Sequence, residues 1–306
     1  MQQPAPYPPL RLKFSIDLGY DVRADGCDFI FNVQAAHTRS QLVLQERLEV
    51  SQHVLSQAYT DPATNSRYLR LRAGMGPLSL HYDAVVDVAH YHADPLTLAE
   101  IRIPDLPGNV LPYLYPSRYC ESDRLHRFAV AQFGGLWQGY NRVLAIQQWV
   151  QGHVAFTSNS TSGTTSACDT LVEKQGVCRD FAHLMIALCR AVNIPARFTT
   201  GIDYGADPAL GPQDFHAYVE AYVGHRWYMF DPSGTAIPMG FIRLATGRDA
   251  ADAAFCSIFG SVAMQGLALS IEAIPGGDGV FRAPMHTGDA LSTDDGTAWP
   301  GQGSGQ

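Results

Sequence analysis

Between Phe181 and Asp231 the spacing of apolar residues changes period once, from helical to alternating. This limits what the chain can fold into. Phe181, Leu184, Met185, Leu188 and Val192 recur at i, i+3, i+4, i+7 and i+11, one stripe of an amphipathic helix. Asn193 and Pro195 end that helix. Residues 196–202 then read as a strand, and residues 216–223 alternate side to side. Gly224 and His225 give a turn signal, and residues 226–231 form the return strand of a hairpin. The segment is therefore mixed α and β.

Three residues with chemical potential sit at the ends of these elements. Cys178 opens the helix within Gly176-Val177-Cys178-Arg179-Asp180-Phe181, after a glycine turn. A helix start offers unpaired backbone N–H groups and the positive end of the dipole. Both favour a thiolate, the form of cysteine that attacks. The same N–H groups suit the oxyanion of a tetrahedral intermediate. His216 opens one arm of the hairpin and Asp231 closes the other. In an antiparallel hairpin those ends lie together, so the pairing predicts a His216–Asp231 contact. A nucleophile, a base and an orienter in this order are what covalent acyl transfer requires. Asp214, two residues before His216, is a second candidate orienter, and Asp231 is the preferred one. Asp180 is expected to brace Arg179 or the helix start rather than to react.

These stretches resemble the transglutaminase-like superfamily, in its bacterial branch of cysteine proteases. The resemblance rests on Gly-Val-Cys-Arg-Asp-Phe-Ala-His-Leu at 176–184 and Asn-Ile-Pro-Ala-Arg at 193–197. Phe-His-Ala-Tyr-Val-Glu at 215–220 and Trp-Tyr-Met-Phe-Asp-Pro at 227–232 complete it. It is specific over about 140–234, and Tyr115-Pro116-Ser117-Arg118-Tyr119-Cys120 looks like the segment that joins the two halves in this branch. The resemblance implies a papain-like α+β fold, with Cys178 as nucleophile, His216 as base and Asp231 as third member. Animal transglutaminases carry tryptophan directly after the nucleophile. Here that residue is Arg179, so calcium-dependent crosslinking is not implied.

Upstream, residues 11–18, 28–33, 42–50, 68–73 and 78–89 alternate or nearly so, with turn signals between them. Short strands at this spacing predict an antiparallel β-sandwich-like domain, here residues 1–115. A proline-punctuated connection leads to a transglutaminase-core domain at 116–245, with helices expected near 121–133 and 138–152. Residues 156–165 read as a loop, and Ser166 to Asp169 as a capping box opening a short helix. Residues 236–258 read as partly helical. Residues 246–281 form a C-terminal extension with one strand, 267–274. The Gly/Ser/Thr/Asp-rich stretch 282–306 reads as a disordered tail.

The formal net charge is −8 and no basic run occurs, which argues against nucleic acid as a partner. No apolar stretch reaches membrane-spanning length, and the first ten residues lack the pattern of a secretory signal. The cytoplasm is the expected compartment. The six cysteines form no C-x-x-C pair, so neither a zinc site nor a thioredoxin motif is indicated. A Cys168–Cys178 bridge remains open at this level. His90 and His92 share a strand face but lack a third ligand, and no metal or cofactor is expected.

Three functions follow. The favoured one is a cysteine-dependent amide or peptide hydrolase working through a thioester on Cys178. The alternatives are an acyltransferase passing the same thioester to an amine, and a binding protein with a vestigial triad. A peptide or protein substrate is expected, while its identity and the oligomeric state are not legible.

Overall fold

The computed structural model describes residues 7–205 and 213–293. Strands come first: β1 (Leu10–Val22), β2 (Cys27–Phe31), β3 (Gln41–Val50), β4 (Ser56–Thr60), β5 (Arg67–Ala73), β6 (Gly76–Val88) and β7 (Tyr91–Ala93). The middle of the chain holds α1 (Ser122–Phe133), α2 (Tyr140–His153), β8 (Ala155–Phe156), α3 (Ala167–Glu173), β9 (Gln175–Gly176) and α4 (Cys178–Ala191). Then follow β10 (Ala196–Asp203), β11 (His216–Val223), β12 (Arg226–Phe230), β13 (Phe241–Gly247), β14 (Cys256–Phe259), β15 (Val262–Ile274) and β16 (Ala290–Ser292). The fold is α+β, as the sequence pattern predicts.

Contacts divide the chain into two units, neither continuous in sequence. The first comprises the described parts of Met1–His90 and Thr199–Ala217, with Thr235–Thr287. Strand β1 shows why it folds. Leu12, Phe14, Ile16, Leu18 and Tyr20 are buried, while Lys13 and Asp17 between them face outward. One four-stranded sheet runs β15-β1-β6-β3 and another β14-β2-β5-β4. Side chains of both sheets meet in one core, among them Phe14, Phe29, Phe31, Leu71 and Tyr82. The outward residues pair across strands: Arg11 stands opposite Asp87 and its Nε donates to Asp87 Oδ1 at 2.7 Å.

The second unit comprises Tyr91–Phe198, Tyr218–Gly234 and the described residues from Gly288 onward. Helices α1, α2 and α3 all pack on α4, which is buried along nearly its whole length. Ser166 caps α3: its hydroxyl accepts from the Asp169 N–H and the Asp169 carboxylate accepts from the Ser166 N–H, the predicted capping box. The β11–β12 hairpin has the register Val219↔Phe230 to Val223↔Arg226, and both turn residues adopt positive φ, Gly224 at 55° and His225 at 61°. The four-stranded sheet that contains it has the order β12-β11-β10-β13.

Three expectations are corrected. In the segment 236–258, read as partly helical, one short 3-10 turn, Pro238–Gly240, precedes strand β13, and a second unforeseen strand, β14, follows. Every residue of β13 is buried, so its sequence shows no alternation, and period cannot separate strand from helix there. The tail expected to be loose is ordered through Thr293. Strand β16 pairs antiparallel with β7, and Ala290 to Thr293 are buried. Residues 294–306, the rest of that segment, lie outside the described residues.

Candidate active site

Cys178 is the first residue of α4 and is half-buried. The preceding Val177 is extended, at φ −107° and ψ 175°, so the chain enters the helix abruptly. Valine has no side-chain acceptor, and the cap is supplied from inside the helix. Asp180 Oδ2 accepts from the Val177 N–H at 3.0 Å. The same oxygen takes the Thr161 hydroxyl at 2.7 Å. Asp180 Oδ1 takes Arg179 Nη2 at 2.8 Å, and that nitrogen also donates to the Ser162 carbonyl at 2.7 Å. The fully buried Asp180 carboxylate thus ties the 157–165 loop to the first turn of α4, the bracing role expected of it.

Gly176 makes room for this. It has no positive φ, but a Cβ there would meet Asp180 Cβ at 2.7 Å. Gly176 therefore serves a close approach and not the turn that the sequence suggests. A further bond holds the loop: Tyr119 Oη donates to the Gly163 carbonyl at 2.7 Å. The Tyr119 ring stacks on His183 of α4 at 4.9 Å between centroids. His183 also lies against Phe198, and burial, with the Arg179 charge as a smaller cause, lowers its pKa to about 3. His183 is thus a neutral packing residue.

Asp231 directly follows β12 and is buried. Its Oδ1 accepts from the Ser233 N–H at 3.0 Å and from the Ser233 hydroxyl at 2.6 Å. Its main-chain carbonyl accepts from Gln151 Nε2 of α2 at 2.9 Å. His216 is the first residue of β11 and is also buried. Alternation puts it on the strand face of Tyr218, Glu220 and Tyr222. Glu220 pairs with Met229 and Tyr222 with Trp227, so continuing the register gives Asp231 the same parity as His216. Asp214, the other candidate orienter, is exposed just before β11, where its Oδ1 accepts from the Phe215 N–H at 2.7 Å.

Other motif residues prove structural. Arg197 Nε donates to Glu220 Oε2 at 2.6 Å, both side chains being almost fully buried. The Arg197 guanidinium lies 4.4 Å from the Trp227 ring centre, and Thr293 Oγ1 donates to Glu220 Oε1 at 2.5 Å. Arg190 Nη1 donates to the Tyr115 carbonyl and the Ser117 hydroxyl, each at 3.0 Å, and its Nε to the Ala196 carbonyl at 3.0 Å. The 115–120 segment is thereby pinned to the C-terminal end of α4. In the sequence Arg197 and Glu220 stand only as pieces of motifs. Two opposite charges on adjacent, fully buried strands mark them as a pair.

Among the described residues, no group of three or more His, Cys, Asp and Glu side chains is placed to hold a metal ion. His92 of the His90/His92 pair instead faces Asp289, Nδ1 to Oδ2 at 3.1 Å. None of the six cysteines is in a disulfide, so Cys168 and Cys178 are not bridged. Burial raises the pKa of three of the other thiols: Cys168 and Cys189 lie above the ordinary range and Cys256 is pushed up to about 12.

The comparisons with known proteins support a cysteine-based catalytic fold. The model described as the transglutaminase-like superfamily matches residues 127–232, and that of the bacterial transglutaminase N-terminal domain matches residues 10–109. The structure is similar to that of a "Putative Cysteine Protease" from Cytophaga hutchinsonii, with a TM-score of 0.86 and 38% identity over 94% of this chain and 98% of that one. An uncharacterized protein of Mycobacterium leprae is 30% identical over 117 residues, 37% of this chain and 42% of that protein. One from Mycobacterium tuberculosis is 30% identical over 108 residues, 32% of this chain and 34% of that protein. The chain thus matches less than half the length of these curated relatives. This chain belongs to the transglutaminase-like superfamily and carries the bacterial transglutaminase N-terminal domain.

Proposed function

We propose that the protein is a cysteine-dependent amide or peptide hydrolase. Cys178 attacks the substrate carbonyl, and His216 takes its proton and returns it to the leaving amine. Asp231 orients the imidazole, and water then releases the thioester. The observation that carries this reading is the position of Cys178 at the first residue of α4, its half-burial leaving the thiol approachable. The shared strand parity of His216 and Asp231 at the open end of one hairpin supports the base–orienter pair.

Hydrolysis is preferred to acyl transfer because of what surrounds the first turn of α4. Arg179 and the polar loop 157–165 stand there, held together by Thr161, Ser162 and Asp180. An amine-accepting enzyme needs an apolar wall that keeps water from the thioester. The proposal includes a peptide or protein substrate and a reducing, cytoplasmic setting, which thiols outside disulfides support. It also includes a boundary near residue 115 between a β-rich domain and the catalytic domain, supported by the spans of the two family models.

The test is competition. A peptide substrate is supplied with excess primary amine, and acid and amide products are separated. Acid as the main product is expected, and amide as the main product would replace the hydrolase by the transferase.

A further inference from the structure

Asp231 is gripped from two directions. The sequence after it is Pro232-Ser233-Gly234. Proline has no N–H, so Ser233 is the first following residue whose backbone can donate to the carboxylate. It does so, and its hydroxyl adds a second, shorter bond to the same oxygen, Oδ1. Gly234 closes the turn: its N–H donates to the Asp231 carbonyl at 3.3 Å, and its φ is 67°. From the other direction Gln151 of α2 donates to that carbonyl. A Cβ at Gly234 would come within 2.8 Å of Gln151 Nε2, so the glycine also admits the glutamine.

A carboxylate with one oxygen held twice by its own turn cannot rotate about its last bond without losing both bonds. Its main chain is held separately, by a helix distant in sequence. We propose that Ser233 and Gln151 are positioning residues for the reaction: Ser233 fixes the Asp231 carboxylate so that Oδ2 is presented to the His216 ring N–H, and Gln151 fixes the main chain that carries it. The inference rests on the Cys178–His216–Asp231 reading above. Donors to a carboxylate keep it ionised, and an ionised, fixed carboxylate favours the imidazolium that stabilises the Cys178 thiolate.

The experiment reads the thiolate directly and needs no substrate. Iodoacetamide alkylation of Cys178 is followed by mass spectrometry from pH 4 to 9. Asp231→Asn is expected to move the midpoint of the rate profile to higher pH. Ser233→Ala is expected to move it the same way by less, lowering the rate at pH 6 about three- to tenfold, the size of one ordinary net hydrogen bond. Ser233→Thr restores the wild-type profile, and Ser233→Val, the same shape without the hydroxyl, does not. Adding Ser233→Ala to Asp231→Asn is expected to give no further shift, because the hydroxyl acts through the carboxylate. Gln151→Ala is expected to shift the profile like Ser233→Ala. Melting temperatures are read alongside, and the Thr/Val pair decides if the alanine variant fails to fold.

A shift with Asp231→Asn but none with Ser233→Val would overturn the role of Ser233 and leave the triad standing. Likewise, an unchanged profile in Gln151→Ala would remove the tether through α2. No shift with Asp231→Asn would instead remove the triad reading itself.

Discussion

At the N-terminal end of α4, Arg179 and Asp180 hold a loop of hydroxyl-bearing residues beside a half-buried cysteine. At the C-terminal end, Arg190 is buried and spends its donors on the Tyr115 and Ala196 carbonyls and the Ser117 hydroxyl. Nearby, Arg197, Glu220 and Thr293 form a second buried polar chain. Both ends use arginine and several hydrogen bonds. They differ in what the bonds enclose. The first set lies next in sequence to a half-buried cysteine, while the second joins segments of the interior. Residues of one set of family motifs thus divide by place, into those beside Cys178 and those that join segments far apart in sequence.

Substitutions at the two ends should therefore fail differently. The largest effect is expected for Cys178→Ala. Turnover should vanish while the melting temperature stays near that of the wild type, since a half-buried thiol carries little packing. Glu220→Gln should do the reverse. It removes the negative charge opposite the buried Arg197 guanidinium, and breaking a buried ion pair costs about 3–5 kcal/mol. Chemical denaturation with active-site alkylation as a second readout would separate the two: stability falls, and the protein that remains folded still alkylates. A Glu220→Gln variant of wild-type stability would break the comparison.

His183 gives a pH-dependent version of the same contrast. Its pKa falls from 6.5 to about 3 because burial disfavours the charged ring. The unfolded chain therefore binds the proton first. The stability His183 contributes is complete above about pH 6.5 and is lost as pH falls towards 3, at up to about 1.4 kcal/mol per pH unit. Melting temperature against pH should decline less steeply over that range in His183→Phe, which keeps the stack on Tyr119. Equal slopes in both proteins would mean that His183 does not titrate as described. The smallest effect is expected at Thr293, whose hydroxyl completes Glu220. Thr293→Val should cost about 1–2 kcal/mol in denaturant, and no change would detach the end of the described chain from the core.

The sequence made legible those elements whose residue types recur at a fixed period or pair at a fixed spacing. The stripe on α4, the alternation of β1 and the Ser166–Asp169 box each leave a periodic or paired mark. β13 leaves none, because both faces are buried, and β14 is too short at four residues to show a period. The positions of Cys178, His216 and Asp231 at element ends could be read from punctuation by Gly, Pro and turn residues. What stayed hidden were partners distant along the chain. Thr161 on Asp180, Gln151 on Asp231 and Thr293 on Glu220 are each a common polar residue in an unremarkable stretch. Only the folded chain selects them. The tail illustrates the same limit, since composition marked it as loose while one hydroxyl and a three-residue strand dock it.

The central claim is that Cys178 forms a covalent acyl intermediate. It is tested most directly by mixing the protein with an activated acyl ester, quenching in acid and mapping the adduct by mass spectrometry. The account predicts one hydroxylamine-labile acyl group on Cys178 in the wild type and none in Cys178→Ala. Labelling of Cys178→Ala to the same extent, or acylation of another thiol in its place, would contradict it.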